Sequence, residues 1–178
     1  MPRWAGAAAP ERAYRLAPVE GRREGRIVPR PPSRSAMIVD LAAQRAMDQL
    51  LKVGFDRLSE AERILATVWQ FAAGVANHGF AGYYLSRRGD LAFHAPAALR
   101  AIGADQLAMI AAEANAQFGP GGPSPDPGVR TEQLQQLGPE ARRVFDALER
   151  SYFEAEESID RQFEAWFERQ KHASRALA

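Results

Sequence analysis

The chain has 178 residues, is 46% hydrophobic and 25% charged, and carries a formal net charge of +1; that length suits one domain with some chain to spare. It contains no Cys and only three His, which excludes disulfides, thiolate chemistry and Cys-ligated metal centres and leaves too few imidazoles for a convincing metal site. No apolar run approaches the roughly 18–20 residues of a membrane span, and the overall charge points to no class of partner.

The charge is unevenly placed. Residues 1–35 hold eight Arg and three Glu, a net of +5, and residues 36–178 have a net of −4. Six of the twelve Pro also lie in that leader. It shows no apolar period, and Arg30-Pro31-Pro32 disfavours helix and strand alike, so residues 1–36 are expected to be disordered. The leader lacks the apolar stretch of a secretory signal. Three readings stay open for it: an arm for anionic surfaces, an organellar transit peptide, or an upstream stretch with translation starting at Met37.

From Met37 the pattern is helical. Ile38, Leu41, Ala42, Met47, Leu50 and Leu51 approximate the spacing of one amphipathic face. Ser59-Glu60-Ala61-Glu62 fits a capping box. It opens a helix to about Ala76 whose inner face is Ala61, Ile64, Leu65, Val68, Ala72 and Val75, widened by Trp69 and Phe71. Asn77-His78-Gly79 supplies a stop, and Phe80–Leu85 predicts two further turns. Arg87–Asp90 is expected to be a loop. Pro96 suits the first turn of a helix that ends at Gly103. Another follows from about Asp105, with Leu107, Ile110, Ala111, Ala114 and Phe118 inward. Residues 119–128 contain eight Gly or Pro in ten and predict an irregular loop. They lack the Gly-Lys-Ser/Thr ending of a phosphate loop. A short helix is expected over about Thr131–Leu137, and Pro139 opens a last one running to about His172. Its inner face is Phe145, Leu148, Tyr152, Ile159, Phe163 and Trp166. Unbroken, it would be roughly 50 Å long, so a bend is expected near Phe153–Glu157. Residues 173–178 are expected to fray. No sustained alternating strand pattern occurs, so the body, 37–172, is expected to be a single all-α domain of six to eight helices.

Trp69, Val75, Asn77, Gly79, Phe80, Tyr84 and Gly89, followed by Ala98-Leu99, Ile102-Gly103-Ala104, Phe118 before the Gly/Pro loop, Phe145-Asp146 and Tyr152-Phe153, resemble the signature of the bacterial DNA-mimic protein family. The similarity covers about Leu58–Phe167. It implies an all-helical domain that acts by binding rather than catalysis. It further implies acidic side chains that imitate DNA phosphates and occupy the DNA-binding face of a helix-turn-helix protein. Fold transfers along such a resemblance better than function does.

The residues themselves offer one matching feature. Glu156, Asp160, Glu164 and Glu168 form an i, i+4 ladder on a regular last helix, each step rising about 6 Å. Glu149, Glu154 and Glu157 thicken it, and residues 140–168 have a net charge of −5. Against this, Asp146 with Arg150 and Glu157 with Arg161 are acid-then-base pairs of the kind that solubilise any helix face. The ladder therefore reads either as a solvated face or as a protein-binding surface. Trp69, Asn77, Gly79, Phe80, Tyr84 and Gly89 read as structural: Asn77 and Gly79 end a helix, and Phe80, Tyr83 and Tyr84 pack inward. The alternative is a small pocket or dimer patch with His78 at its edge.

No Ser lies in a nucleophile-elbow context, and no facing Glu-x-x-His pair suggests a di-metal site. The expectation is a non-enzymatic, cofactor-free, cytoplasmic domain that binds a protein partner, with neither membrane nor direct nucleic-acid binding. Two classes of partner remain: a DNA-binding protein of helix-turn-helix or nucleoid type, met through the acidic helix, or the partner of an interaction or toxin-neutralising module without mimicry. Self-association into a homodimer is compatible with either.

Overall fold

Residues 34–176 are described by the structure, a computed structural model, with side chains described outside 34–38, 156–158, 160 and 171–176. The expected disorder of residues 1–33 lies outside them, whereas residues 34–36, expected to be disordered too, are the first residues of a helix that starts before Met37. Six α-helices and two short 3-10 segments follow one another, and no strand occurs among the described residues. The fold class is all-α.

Helix α1, Arg34–Val53, buries Val39, Ala43 and Ala46, with Ala42, Met47 and Leu50 packed at the edge. Its inner face is rotated from the one expected. Leu41 and Leu51 point outward, 52% and 78% exposed. Small Ala side chains at the contact let α1 approach α2 and α6, the helices it packs against, and that close approach outweighs the larger Leu side chains in setting the face.

Helix α2, Glu60–Leu85, is the element around which the others assemble, touching α1, α3, α5, α6 and the 3-10 segment Arg87–His94. Its capping box is formed: Glu62 N–H donates to Ser59 Oγ at 3.3 Å, and Ser59 N–H donates to Glu62 Oε2 at 2.9 Å. The Ser59 hydroxyl and amide hold the Glu62 carboxyl below the usual carboxylate range. The expected stop is present as a kink. Gly79, at φ 63° and ψ −177°, interrupts the helix, and a second helical segment runs on to Leu85. Val68, Phe71, Ala72 and Val75 are buried before the kink, and Phe80, Tyr83 and Tyr84 after it.

Arg87–His94 is a 3-10 helix rather than the expected loop. Ser86 caps it, its Oγ accepting from Arg88 N–H at 3.2 Å. Helix α3, Ala95–Ile102, carries Pro96 in its first turn and stops at left-handed Gly103. Helix α4, Asp105–Ala116, buries Leu107, Ile110, Ala111 and Ala114. Helix α5, Pro127–Gln136, begins four residues before Thr131. Asp126 caps it, accepting from Val129 N–H at 2.9 Å, and Pro127 stands in the first turn. The cap, rather than the last glycine, sets the boundary of the Gly/Pro loop.

Helix α6, Pro139–Ala176, is continuous over 38 residues. Of the bend or break expected near Phe153–Glu157, no break occurs, and the helix continues through 173–176, part of the tail expected to fray; 177 and 178 lie outside the described residues. Two physical reasons apply. The segment Phe153-Glu154-Ala155-Glu156-Glu157 contains no Gly or Pro to break it. The body is also long enough to cover it. The first half lies antiparallel to α2, with Tyr152 Oη donating to the Ala72 carbonyl at 3.1 Å. The second half buries Ile159, Phe163 and Trp166, and α1, α3 and α4 also pack against α6. No helix of the described residues is long and apolar enough to cross a membrane.

Candidate functional site

The acidic positions lie on α6, which spans about 57 Å at 1.5 Å per residue. Continuity of the helix puts 156, 160, 164 and 168 one turn apart on a single backbone. The side chains of Glu156, Glu157 and Asp160 lie outside the described residues. Glu164 and Glu168 are half-buried and engaged with neighbours, and Glu154 is exposed. Nearer the start of the helix, Glu140 accepts from Arg143 at 3.0 Å.

Glu149 has a different place. Its Oε1 accepts from the Phe80 N–H at 2.8 Å. That amide is the first after the Gly79 kink, where no preceding turn can supply a carbonyl. A carboxylate from α6 therefore caps the second segment of α2 from 69 residues away, and its negative charge meets the positive end of that segment's dipole. Gly79 makes this possible. Its φ/ψ pair is accessible almost only to glycine, and a Cβ there would fall on the Glu149 carboxylate, with Cδ at 2.7 Å. Glu149 thus belongs to the helix junction.

The other signature residues surround the same junction. Phe80 is fully buried, ring to ring with Phe71, Tyr84 and Phe145 at 6.2, 6.3 and 6.0 Å. Tyr84 is buried against Phe118 at 4.6 Å, and its Oη donates to Asn115 Oδ1 at 2.8 Å. Asn115 Nδ2 in turn donates to the Ala92 carbonyl at 2.8 Å, tying α2, α4 and the 3-10 segment together. Burial holds the Tyr84 hydroxyl well above its ordinary pKa, so it is a neutral donor at any physiological pH. Asn77 is exposed, and its Nδ2 closes the last turn before the kink on the Ala73 carbonyl at 2.7 Å. Trp69 is half-buried on α2, and His78 is exposed beside the kink.

Gly89 is buried because an arginine passes over it. A Cβ at Gly89 would lie 2.8 Å from the Tyr83 carbonyl oxygen, 2.9 Å from Arg130 Nε and 3.0 Å from Tyr84 Cα. Arg130, on α5, has no exposed surface. Its Nε donates to the Tyr84 carbonyl at 2.7 Å, and Nη1 to the Ser124 and Pro125 carbonyls at 2.7 and 3.1 Å. Nη2 donates to the Ser86 carbonyl at 3.0 Å and to Asp90 Oδ1 at 2.6 Å. These are five bonds for the five N–H donors of a guanidinium, so the buried cation is fully hydrogen-bonded. Sequence reasoning does not single out Arg130, since nothing local marks an arginine as buried. Asn115 was within reach, because it follows Ala108 by seven and Ala111 by four and so falls on the apolar face of α4.

A groove of about 330 Å³ lies between the start of α2, the end of α3 and the far end of α6, lined by Glu60, Ala61, Ile64, Ala101, Trp166 and Gln170. It brings no nucleophile–base pair together. Among the described residues no three His, Cys, Asp or Glu side chains are grouped as metal ligands.

A family model described as DMP19-like protein matches residues 56–170. No curated protein and no solved structure matches the chain.

Proposed function

The chain belongs to the DMP19-like protein family, and on that premise we propose that it is a non-catalytic, cytoplasmic domain that binds a protein partner through the acidic face of α6, in the manner of a DNA mimic. The partner is a DNA-binding protein of helix-turn-helix or nucleoid type. Neither a cofactor nor nucleic acid takes part.

The supporting observation is the unbroken helix. DNA presents a dense, regular row of negative charge, and an imitation needs carboxylates at regular spacing on a stiff support. A continuous α6 spaces positions 156, 160, 164 and 168 by about 6 Å per step, the same order as neighbouring phosphates on one strand. A bend near Phe153–Glu157 would have divided the acidic row from its support. The capping role of Glu149 narrows the proposed surface to Glu154, Glu156, Glu157, Asp160, Glu164 and Glu168.

A second reading, an interaction or toxin-neutralising module without mimicry, draws on a specific observation. Acidic residues in the first half of α6 have partners within the chain, Glu149 at the kink and Glu140 in an exposed pair with Arg143. In that reading the rest of the row is a solvated face, and apolar side chains such as the half-exposed Phe153 carry the contact or a homodimer.

Charge reversal separates the two. Changing Glu156, Asp160, Glu164 and Glu168 together to Lys is expected to weaken partner binding at least tenfold, as loss of complementary charge does at steered interfaces. The far-UV circular dichroism should be unchanged. Binding of the wild-type chain should also weaken steeply as salt rises. Equal affinity of the two proteins, with no salt response, would favour the second reading.

A further inference from the structure

We infer that residues 119–138 form a strap that opens from the body as one unit, with Arg130 as its latch. The inference stands apart from the reading of α6.

The strap is attached unlike any other part of the fold. The α5 helix buries a single residue fully, and that residue is Arg130. Elsewhere in 119–138 only Pro123 is buried, while Leu134 and Leu137 lie at the edge of the core. By contrast, α4 buries Leu107, Ala108, Ile110, Ala111, Ala114 and Asn115. Where other helices adhere by apolar area, α5 adheres chiefly through one guanidinium.

Hydrogen bonding shows which residues move together. Within the strap, Ser124 N–H donates to Gln133 Oε1 at 2.9 Å, and Gln133 Nε2 donates to the Gly122 carbonyl at 3.2 Å. Arg130 Nη1 adds its two bonds to the Ser124 and Pro125 carbonyls. Loop and helix are thus tied to each other. From strap to body, the side-chain bonds come from Arg130, to the Tyr84 carbonyl, the Ser86 carbonyl and Asp90, while at the hinge itself the Gly119 N–H donates to the Ala116 carbonyl at 3.1 Å.

The ends of the segment can hinge. Gly119 and Gly121 stand at one end and Gly138 at the other, each with open space where a Cβ would be. Opening hydrates a cation whose burial is costly, so the net free energy that holds the latch is small beside that of an apolar core. Segments with few buried apolar contacts open at low free energy while the core stays folded. An opened strap leaves the Tyr84 and Ser86 carbonyls and Asp90 without the guanidinium and presents Arg130 to solvent.

Native-state hydrogen exchange on the full chain, read by peptide mass spectrometry across a low-denaturant series, tests this. The amides of Ser124, Val129 and Arg130 should exchange together, at least tenfold faster than those of Leu65–Val75, with a smaller denaturant slope because less surface is exposed. In Arg130→Met the strap amides should speed up at least another tenfold while those of α2 and α4 keep their rates. Gln133→Ala should split the unit, speeding the loop amides more than those of α5. The inference is overturned if wild-type strap amides exchange at the rate and slope of α2, since they would then open only on global unfolding. That wild-type comparison decides the matter even where Arg130→Met fails to fold.

Discussion

Phe80→Ala is expected to destabilise the protein by about 4 kcal/mol, within the range for emptying a fully buried aromatic site. Phe80 has no exposed surface and meets Phe71, Tyr84 and Phe145 from three directions. Those rings come from both segments of α2 and from α6, so the void cannot close by shifting one helix alone. The loss combines the transfer free energy of the ring, about 25 cal/mol per Å², with the contacts its neighbours forfeit across the cavity. A urea titration followed by tryptophan fluorescence should show the midpoint falling with little change in slope. A loss under 1 kcal/mol would mean that the aromatic cluster does not join α2 to α6 as described.

Gly79→Ala is expected to cost about 3 kcal/mol, through backbone strain and steric conflict together. The backbone at φ 63° and ψ −177° is unfavourable for any residue with a Cβ. The added methyl would also strike the Glu149 carboxylate, displacing it from the Phe80 N–H. Relief of one conflict aggravates the other: a helical backbone at residue 79 would straighten α2 and pull Phe80 out of register. Gly121→Ala is the matched control. Its Cβ meets nothing within 4 Å and its φ is not positive, so the change should stay within about 0.5 kcal/mol. The same urea titration checks both variants. Equal stability of G79A and G121A would contradict the account of the kink.

These two effects concern residues whose pattern was visible in the sequence. The helical periods of α2 through α4, the Ser59 box, the stop at Gly79 and the turn at Gly103 are local signals. Each depends on side chains within a few residues of one another, and each is found in the structure. What was hidden depends on distant partners. Glu149 looks like one more acid on a charged helix, and only the chain reversal between α2 and α6 brings it to the Phe80 amide. Arg130 looks like a surface arginine on a weakly amphipathic helix, and only the meeting of two carbonyl-bearing stretches, Tyr84/Ser86 and Ser124/Pro125, with Asp90 makes its burial tolerable. The face of α1 departs from the expected one for a related reason: helix contacts select small side chains where backbones approach closely, and hydropathy alone favours Leu41 and Leu51 over Ala43 and Ala46. The extent of α6 is close to the expected one, and only the interruption expected near Phe153–Glu157 is missing. The packing of α1, α3 and α4 on α6 supplies cover that no local signal records.

The candidate site was legible as a charge pattern and no further. Spacing along a helix can place carboxylates in a row, but it does not show which of them the fold engages. Separating Glu149 from the ladder required the helix junction in three dimensions.

The proposed role in partner binding is tested most directly by affinity capture from nuclease-treated native lysate. Residues 37–178 and the four-fold charge-reversed chain would be immobilised side by side at low and high salt, with duplex DNA as competitor. The wild-type chain is expected to retain a DNA-binding protein at low salt and to release it at high salt or with added duplex, and the reversed chain to retain none. A partner held equally by both chains, at either salt and in the presence of duplex, would contradict it.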